Sequence, residues 1–148
     1  MTIKEVTLTE ELLEQLLSLS DDWETENCCY EYKRNTPDYI KENRIFAAFE
    51  NCTIIGYLFG HEEVVEKTTS IYTSGTKCFE IEELYVKPQF RSRGIGRALF
   101  QYVEKEIADK VDMILLGTAT KNFRAILHFY VDELGMEFWS ARLFKKLR

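Results

Sequence analysis

The sequence predicts one α/β domain, with a mixed, mostly antiparallel β-sheet and helices on both faces. Its 148 residues suit a single domain over residues 1–148. Hydrophobic residues make up 45% of the chain and charged residues 30%, as in ordinary soluble globular proteins. The periodic segments begin with a hairpin and continue as β-α-β-α-β. That order places helices on both faces of a mixed sheet.

The first half of the chain predicts a strand, two helices and a hairpin. Thr9 is a good N-cap for a helix whose leucines recur at helical spacing. Thr36 followed by Pro37 is typical of an N-cap and first helical residue, here of a short helix to about Asn43. Between the two helices, residues 20–35 are expected to be irregular or weakly helical. The expected strands are residues 2–8, 44–49 and 53–59, the last with room to continue to Val65.

The second half predicts alternating strands and helices. Apolar residues recur along one stripe of a helix that begins at Gly94. Gly135 is placed to end the helix that follows. The expected strands are residues 78–86 and 111–116, with one or two more within 136–147, and the expected helices are residues 94–108 and 121–134.

Charge and hydropathy exclude several classes of protein. Against 25 acidic residues stand 19 basic ones, for a net charge of −6. A general nucleic-acid binder needs a basic face, and a polybasic membrane binder needs the same excess of positive charge. No apolar run reaches the ~18 residues of a membrane span, and the N-terminal residues lack the pattern of a signal peptide. We therefore expect a cytoplasmic protein that binds neither nucleic acid nor membranes.

The cysteines and histidines do not form a metal-binding pattern. Cys28 and Cys29 are adjacent, Cys52 and Cys78 are isolated, and no C-x-x-C is present. The two histidines lie far apart and form no H-E-x-x-H. Zinc sites need such clusters, so we expect no bound metal and four reduced thiols.

Residues 81–99, IEELYVKPQFRSRGIGRAL, carry the clearest chemical signal. A strand ends, a short loop follows and glycines open a helix, so free N–H groups lie at the positive end of a helix dipole. Gly94 and Gly96 let an anion approach the backbone where a Cβ would intrude. Walker A is absent, and Leu99 stands where a Rossmann fingerprint needs its third glycine. A solvated, arginine-rich glycine turn is the alternative interpretation. The arginines that suit phosphate are Arg91, Arg93 and Arg97.

In this segment the chain resembles the GNAT superfamily of N-acetyltransferases. The superfamily motif [R/Q]-x-x-G-x-[G/A], after a strand that ends in V-x-P, has its counterpart in residues 91–96, RSRGIG, after VKP. The element order is similar over nearly the whole chain. The resemblance implies acetyl-CoA as cofactor, its pyrophosphate on the backbone of residues 93–97 and its pantetheine arm paired with residues 84–86, where the fourth strand splays from the fifth. The implied cofactor-binding residues are Leu84, Tyr85, Val86, Arg91, Ser92, Arg93, Gly94, Ile95, Gly96, Arg97 and Asn122.

Transfer to an amine needs a proton acceptor, because an alkylammonium has a pKa of about 10. The family commonly uses a carboxylate on the fourth strand, where Glu80, Glu82 and Glu83 lie. Close like charges raise one another's pKa, which favours a base. Alternation puts Glu80 and Glu82 on one face and Glu83 on the other unless a bulge intervenes, and a solvated side chain is the alternative for each. We favour Glu82 and Glu83 as catalytic residues, because they are similar to a Glu-Asp pair in the polyamine acetyltransferase branch.

The leaving thiolate benefits from an acid, and the family often supplies a tyrosine within N-x-x-A-x-x-[L/F]-Y-x-x-x-G. Asn122 and Ala125 fit this motif. Counting from Asn122 puts Phe129 at the tyrosine's place, whereas the Phe-Tyr pair selects Tyr130. An inserted residue such as a π-bulge reconciles the two counts. We take Tyr130 as the catalytic acid, with a buried structural aromatic as the alternative.

The family's acceptor site lies between the first two helices, here within residues 21–30. Four carboxylates and two aromatic rings in that segment suit a cationic amine, although a solvated loop has the same composition. We expect Trp23, Glu26 and Tyr30 to contact the substrate.

The resemblance implies an N-acetyltransferase that acts on a primary amine of a small molecule or peptide, by direct attack in a ternary complex. A non-catalytic acyl-CoA-binding regulatory domain of the same fold is the alternative. Dimers are common in the family, so a second copy of the chain is a candidate partner.

Overall fold

The computed structural model describes residues 1–148 and contains five strands, four α-helices and two short helical segments of other types. The strands are β1 (Thr2–Val6), β2 (Arg44–Glu50), β3 (Thr53–Val64), β4 (Lys77–Val86) and β5 (Met113–Leu116). The helices are α1 (Glu10–Glu26), α2 (Pro37–Lys41), α3 (Ile95–Ile107) and α4 (Phe123–Leu127), with a 3₁₀ turn at Pro88–Phe90 and a π-helix at His128–Glu133. None of these helices combines the length and apolar character that a membrane crossing requires.

Both predicted helix caps are present. The side chains of Thr9 and Thr36 each accept a hydrogen bond of 3.2 Å from the backbone N–H three residues on. α1 continues to Glu26, so residues 20–26 form regular helix where we expected irregular or weakly helical structure. The helix ends at Asn27, whose left-handed conformation (φ 51°) is a common helix stop.

The five strands form one sheet in the order β1-β2-β3-β4-β5. Neighbouring strands are antiparallel, except that β4 and β5 run parallel. A parallel pair needs a crossover connection, and α3 provides it. The predicted mixed, mostly antiparallel sheet is therefore confirmed.

Each face of the sheet covers its own hydrophobic core. α3 packs on one face, while α1 and α2 pack on the other, which confirms the prediction of helices on both faces. The α3-side core consists of Phe46, Ala48, Ile55, Leu58, Phe79, Ile81, Ile95, Leu99, Phe100, Val103 and Ile107. The core on the α1–α2 side consists of Leu16, Leu19, Ile40, Ile45, Ala47, Phe49, Ile54, Tyr57, Phe59 and Tyr85.

A β-bulge interrupts β4 at Glu82. Phe59 of β3 lies opposite Glu83, and the next residue of β3 lies opposite Ile81, so Glu82 is the extra residue. Because of it, Ile81 and Leu84 pack against the same core although they are three positions apart. Glu83 lies on the α1–α2 side, where it contacts a tyrosine of that core. The bulge therefore decides the facing of the glutamates, which alternation left open.

β5 pairs with only the first part of β4. The parallel ladder begins at Cys78 with Met113 and ends at Ile81 with Leu116. Beyond that point, Glu82 is the bulged residue, and residues 83–86 pair with β3 alone. The pairing of the fourth and fifth strands therefore ends in the region where the family resemblance implies that they separate.

The predicted final strand within residues 136–147 is wrong, because no helix or strand follows the π-helix. Its alternating apolar and polar side chains favour a strand, but a strand also needs a hydrogen-bonded neighbour. Residues 137–148 donate and accept no backbone hydrogen bond, and the outer edge of β5 is unpaired. Their large apolar side chains stay exposed: Phe138, Trp139, Leu143, Phe144 and Leu147.

Candidate functional site

The loop after β4 places free backbone N–H groups at the start of α3. Ser92 (φ 62°) and Gly94 (φ 79°) turn the chain through left-handed conformations, which glycine adopts without strain. The first hydrogen bond of the helix runs from the Ala98 N–H to the Gly94 carbonyl. The N–H groups of residues 95–97 therefore have no helical acceptor. They lie at the positive end of the helix dipole, so they can bind a phosphate.

The three arginines around this loop differ in their partners. Arg91 donates from both terminal nitrogens to the Glu26 carboxylate, at 2.9 Å each, and from Nε to the Val86 carbonyl at 2.8 Å. Although burial raises the pKa of Glu26, its hydrogen-bond donors, Arg91 foremost, hold that pKa below its ordinary value. Arg93 and Arg97 have no carboxylate partner. These two arginines are the ones left free to meet an anion.

The part of β4 that lacks β5 runs directly into this loop. The side chains of Leu84 and Val86 pack against the α3-side core, and Tyr85 packs into the opposite core. Because their side chains point to the two faces, the main chain of these three residues forms the edge of the sheet on the side where β5 has ended. An extended ligand with amide groups can add to such an edge as a further strand.

Glu83 is a buried carboxylate with several hydrogen-bond donors and only 7% of its surface exposed. Its Oε1 accepts from the Tyr57 hydroxyl at 2.8 Å, from Asn35 Nδ2 at 3.0 Å and from the Tyr32 hydroxyl at 3.2 Å. Burial raises the pKa of Glu83, and the three donors oppose that rise without cancelling it. All three hydrogen bonds end on Oε1, so Oε2 has no partner within the chain.

The other two glutamates of β4 have different surroundings. The Glu82 side chain is 30% exposed, its Oε2 accepts from the Tyr39 hydroxyl at 2.8 Å, and its Oε1 lies 3.5 Å from His61 Nδ1. Glu80 lies in the part of β4 that pairs with β5. Burial raises the pKa of Glu80, and the charges of Glu82 and Glu63 add to the rise. The three carboxylates are therefore not equivalent.

The π-helix brings both candidate aromatic residues of the last helix against the α3 side. A Cβ on Gly96 would lie 3.4 Å from Cζ of Phe129, so Phe129 packs at the start of α3. Tyr130 packs 6.4 Å from the Phe100 ring, and burial raises its pKa to about 12. No protein group hydrogen-bonds its hydroxyl. Asn122 directly precedes α4, and its side chain makes no capping hydrogen bond. A π-helix, which holds more residues per turn than an α-helix, is present at His128–Glu133, in the stretch where the two sequence counts diverge.

A comparison with protein families decides the identity of this arrangement. The model of the Acetyltransferase (GNAT) family matches residues 10–136, which is most of the chain. The chain belongs to the GNAT acetyltransferase family.

Solved structures share the fold of this GNAT protein at low sequence identity. A variant of the BH1408 protein from Bacillus halodurans is 20% identical over 100% of both chains, with a TM-score of 0.72. The aminoglycoside N-acetyltransferase AAC(6')-Iy in complex with CoA is 18% identical over 99% of both chains, with a TM-score of 0.66. A Clostridium acetobutylicum protein described as a predicted acetyltransferase, with acetyl-CoA, is 16% identical over 99% of this chain and 97% of that one, with a TM-score of 0.68. No curated protein sequence matches this one significantly.

The residues that the resemblance assigns to the acceptor have partners within this GNAT protein. The Trp23 ring stacks on two tyrosine rings, at centroid distances of 4.4 and 5.1 Å. Glu26 holds the loop arginine described above. Tyr30 is 48% exposed, and the Lys121 ammonium lies 5.3 Å from its ring centroid. Trp23 and Glu26 thus hold α1 against β4 and the loop, while Tyr30 stays accessible.

The partners of Glu83 were missed at the level of sequence. Tyr32 and Asn35 lie 51 and 48 residues away from it, in a segment with no regular pattern. Tyr57 lies 26 residues away on β3. No motif contains these three residues. The one available signal was the alternation of Tyr57 with Phe59, which marks an inward-facing tyrosine on a buried strand.

Proposed function

We propose that this GNAT protein transfers the acetyl group of acetyl-CoA to a primary amine of a small molecule or peptide, by direct attack in a ternary complex. The observation that carries the proposal is the end of the β4–β5 ladder at Ile81. It leaves residues 82–86 without a neighbouring strand on one side, where only the Val86 carbonyl is engaged, by Arg91 Nε, immediately before a loop with free N–H groups. Family membership and the neighbours solved with CoA or acetyl-CoA support the same cofactor.

The residues of this chain fit acetyl-CoA, which supplies the acetyl group as a thioester. The N–H groups of Ile95, Gly96 and Arg97 would hold the pyrophosphate. The open edge formed by residues 84–86 would pair with the amides of the pantetheine arm. Ser92 and Gly94 shape the loop, while Arg93 and Arg97 add positive charge. Asn122 is retained as a cofactor contact because its side chain makes no capping hydrogen bond.

We assign the role of proton acceptor to Glu83. Direct attack needs a neutral amine, and the proton must pass to a nearby group. Oε2 of Glu83 has no partner, and burial raises the pKa of this carboxyl towards the range useful for a base. The neighbouring Glu82 has one oxygen engaged by Tyr39. Its negative charge would favour the approach of an ammonium without taking the proton.

We assign the role of proton donor to Tyr130. A thiol has a pKa of about 8.5, so a proton eases the departure of the thiolate near neutral pH. The pKa of Tyr130, raised to about 12 by burial, keeps its hydroxyl protonated over the whole working range. The absence of a protein partner leaves that hydroxyl free to donate.

The acceptor would enter from the side of residues 21–35. Trp23, Glu26 and Tyr30 remain the proposed contacts there, with Tyr30 the most exposed of them. Aromatic rings and carboxylates on this side suit a positively charged amine.

The test combines binding with turnover. Purified protein is titrated with CoA and acetyl-CoA by calorimetry, then incubated with acetyl-CoA and a panel of aminoglycosides, polyamines and lysine peptides while free thiol is measured. We expect binding of both nucleotides and amine-dependent thiol release. Binding without release from any amine would favour the regulatory alternative, and failure to bind CoA would contradict both.

A further inference from the structure

The two oxygens of Glu83 have unequal surroundings, and the difference is built from four parts of the fold. Tyr57 comes from β3, while Tyr32 and Asn35 come from the segment between α1 and α2. All three donate to Oε1, at 2.8, 3.2 and 3.0 Å respectively. Behind them lies the fully buried Ser20 of α1. Its hydroxyl contacts the Tyr32 hydroxyl and the backbone N–H of Asn35, at 2.8 Å each.

The hydrogen atoms of this network can be arranged in one way when Glu83 is ionised. The single hydroxyl hydrogen of Tyr32 goes to Glu83, so the Ser20 hydroxyl must donate to the Tyr32 oxygen. Ser20 in turn accepts from the Asn35 N–H. The hydrogen bonds through Ser20 and Tyr32 therefore run in series towards Oε1, while Tyr57 and Asn35 Nδ2 donate to it directly. Each donor to Oε1 stabilises the carboxylate form.

The groups that face Glu83 carry no positive charge. They are Glu82 on β4, Tyr57 on β3, Tyr32 and Asn35 on the connecting segment and Tyr39 on α2, with the neutral Ser20 of α1 behind Tyr32. No lysine or arginine forms an ion pair with this carboxylate. Its ionisation therefore depends on neutral hydrogen-bond donors.

We propose that Tyr57, Asn35 and Tyr32 are positioning residues that occupy Oε1 of Glu83 and hold its ionised form, so that Oε2 receives the proton of the acceptor amine. This proposal rests on the proposed function. It makes the segment of residues 32–35 part of the catalytic apparatus, although none of the motifs recognised in the sequence includes it. It also makes Glu83, rather than the neighbouring Glu82, the proton acceptor, since Glu82 has a single tyrosine donor and is much more exposed.

The test is the pH dependence of kcat/KM in matched tyrosine variants, measured with one amine throughout so that the titration of the amine cancels in the comparison. Tyr57→Phe removes only a hydroxyl that donates to Glu83. Tyr39→Phe removes the equivalent donor to Glu82, also at 2.8 Å. Loss of a donor to the carboxylate raises the pKa of the base, so the acid limb moves to higher pH. We expect a move of about one pH unit for Tyr57→Phe and less than about 0.2 for Tyr39→Phe.

A second variant and a second readout separate this proposal from the proposed function. Asn35→Leu should move the acid limb in the same direction as Tyr57→Phe. The carboxyl ¹³C resonance of Glu83, assigned from its absence in Glu83→Gln, reports the same pKa in protein that has no substrate. Denaturant unfolding checks that each variant is folded.

The outcomes are distinct. A raised carboxyl pKa in Tyr57→Phe, together with amine-dependent turnover whose acid limb moves equally, supports both proposals. A raised carboxyl pKa in Tyr57→Phe without turnover from any amine shows that the donors control the pKa of Glu83, but it contradicts the proposed function. Turnover whose acid limb moves in Tyr39→Phe but stays fixed in Tyr57→Phe overturns the positioning proposal and assigns the proton to Glu82.

Discussion

The two halves of β4 differ in how many neighbours they have. Residues 78–81 lie between β3 and β5, while residues 83–86 pair with β3 alone. Glu80 in the first half and Glu83 in the second both have a raised pKa because of burial. Only Glu83 combines that burial with a set of donors and a backbone edge open beside it. β4 thus supports the sheet where it pairs with strands on both sides, and it forms a candidate site where the pairing with β5 ends.

The largest expected effect contrasts the glutamates of the two halves. Glu83→Gln keeps the size and the hydrogen-bonding oxygen of the side chain but removes its capacity to take a proton. We expect kcat to fall by about 1,000-fold, with CoA affinity unchanged. Glu80→Gln, in the paired half, should change kcat by less than about threefold. Steady-state kinetics and calorimetry measure both, and equal losses in the two variants would contradict the assignment.

Gly60 of β3 lies beside the bulge that separates the two halves, so a substitution at Gly60 should disturb the bulge. A Cβ there would lie 2.2 Å from the Glu80 carbonyl oxygen and 2.7 Å from Phe79 Cε1. We expect Gly60→Ala to lower the free energy of unfolding by about 2 kcal/mol. Gly56→Ala faces the second half, where the Cβ would lie 3.0 Å from the Tyr85 carbonyl oxygen, and should cost less. Urea unfolding compares them, and the reverse order would show that the open half is the more rigid.

The proton donor is tested by Tyr130→Phe. Removing the hydroxyl should lower kcat by about tenfold and leave CoA affinity unchanged, since a thiolate leaves moderately well without a proton. Tyr102→Phe, a matched change on α3, should have no effect. Because the pKa of Tyr130 lies at about 12, its titration should not limit kcat below about pH 11. Wild-type kinetics in the Tyr130→Phe variant would return this residue to a structural role.

The smallest expected effect concerns the link between the loop and α1. Arg91 binds Glu26 with two nitrogens and the Val86 carbonyl with a third, a geometry that lysine cannot reproduce. Arg91→Lys should therefore weaken CoA binding by about threefold, through the position of the loop. Arg124→Lys on α4 is the control and should leave the affinity unchanged. A loss of 100-fold or more in Arg91→Lys would indicate direct contact with the cofactor instead.

The parts of the fold that the sequence predicted correctly depend on local chemistry. Thr9 and Thr36 cap their helices because a short hydroxyl side chain meets N–H groups three residues away. Gly94 opens α3 because the turn there needs a positive φ. The π-helix at His128–Glu133 also left a local signal, a mismatch between two motif counts along the last helix.

The remaining features depend on partners that are distant in sequence. The bulge at Glu82 exists only in the register with β3, so alternation along β4 alone left the facing of the glutamates open. The donors to Glu83 come from up to 51 residues away. The prediction of a final strand was wrong for the same reason: residues 136–147 have a suitable alternating pattern, but no neighbouring strand pairs with their backbone.

Amide hydrogen exchange of β4, with and without saturating CoA, compares the two halves directly. We expect CoA to slow exchange at the amides of residues 82–86 that point away from β3 and at residues 95–97. Residues 77–81, already bonded on both sides, should not change. Slowed exchange elsewhere in the protein, with residues 82–86 unaffected at full CoA occupancy, would contradict the assignment of this edge as the cofactor site.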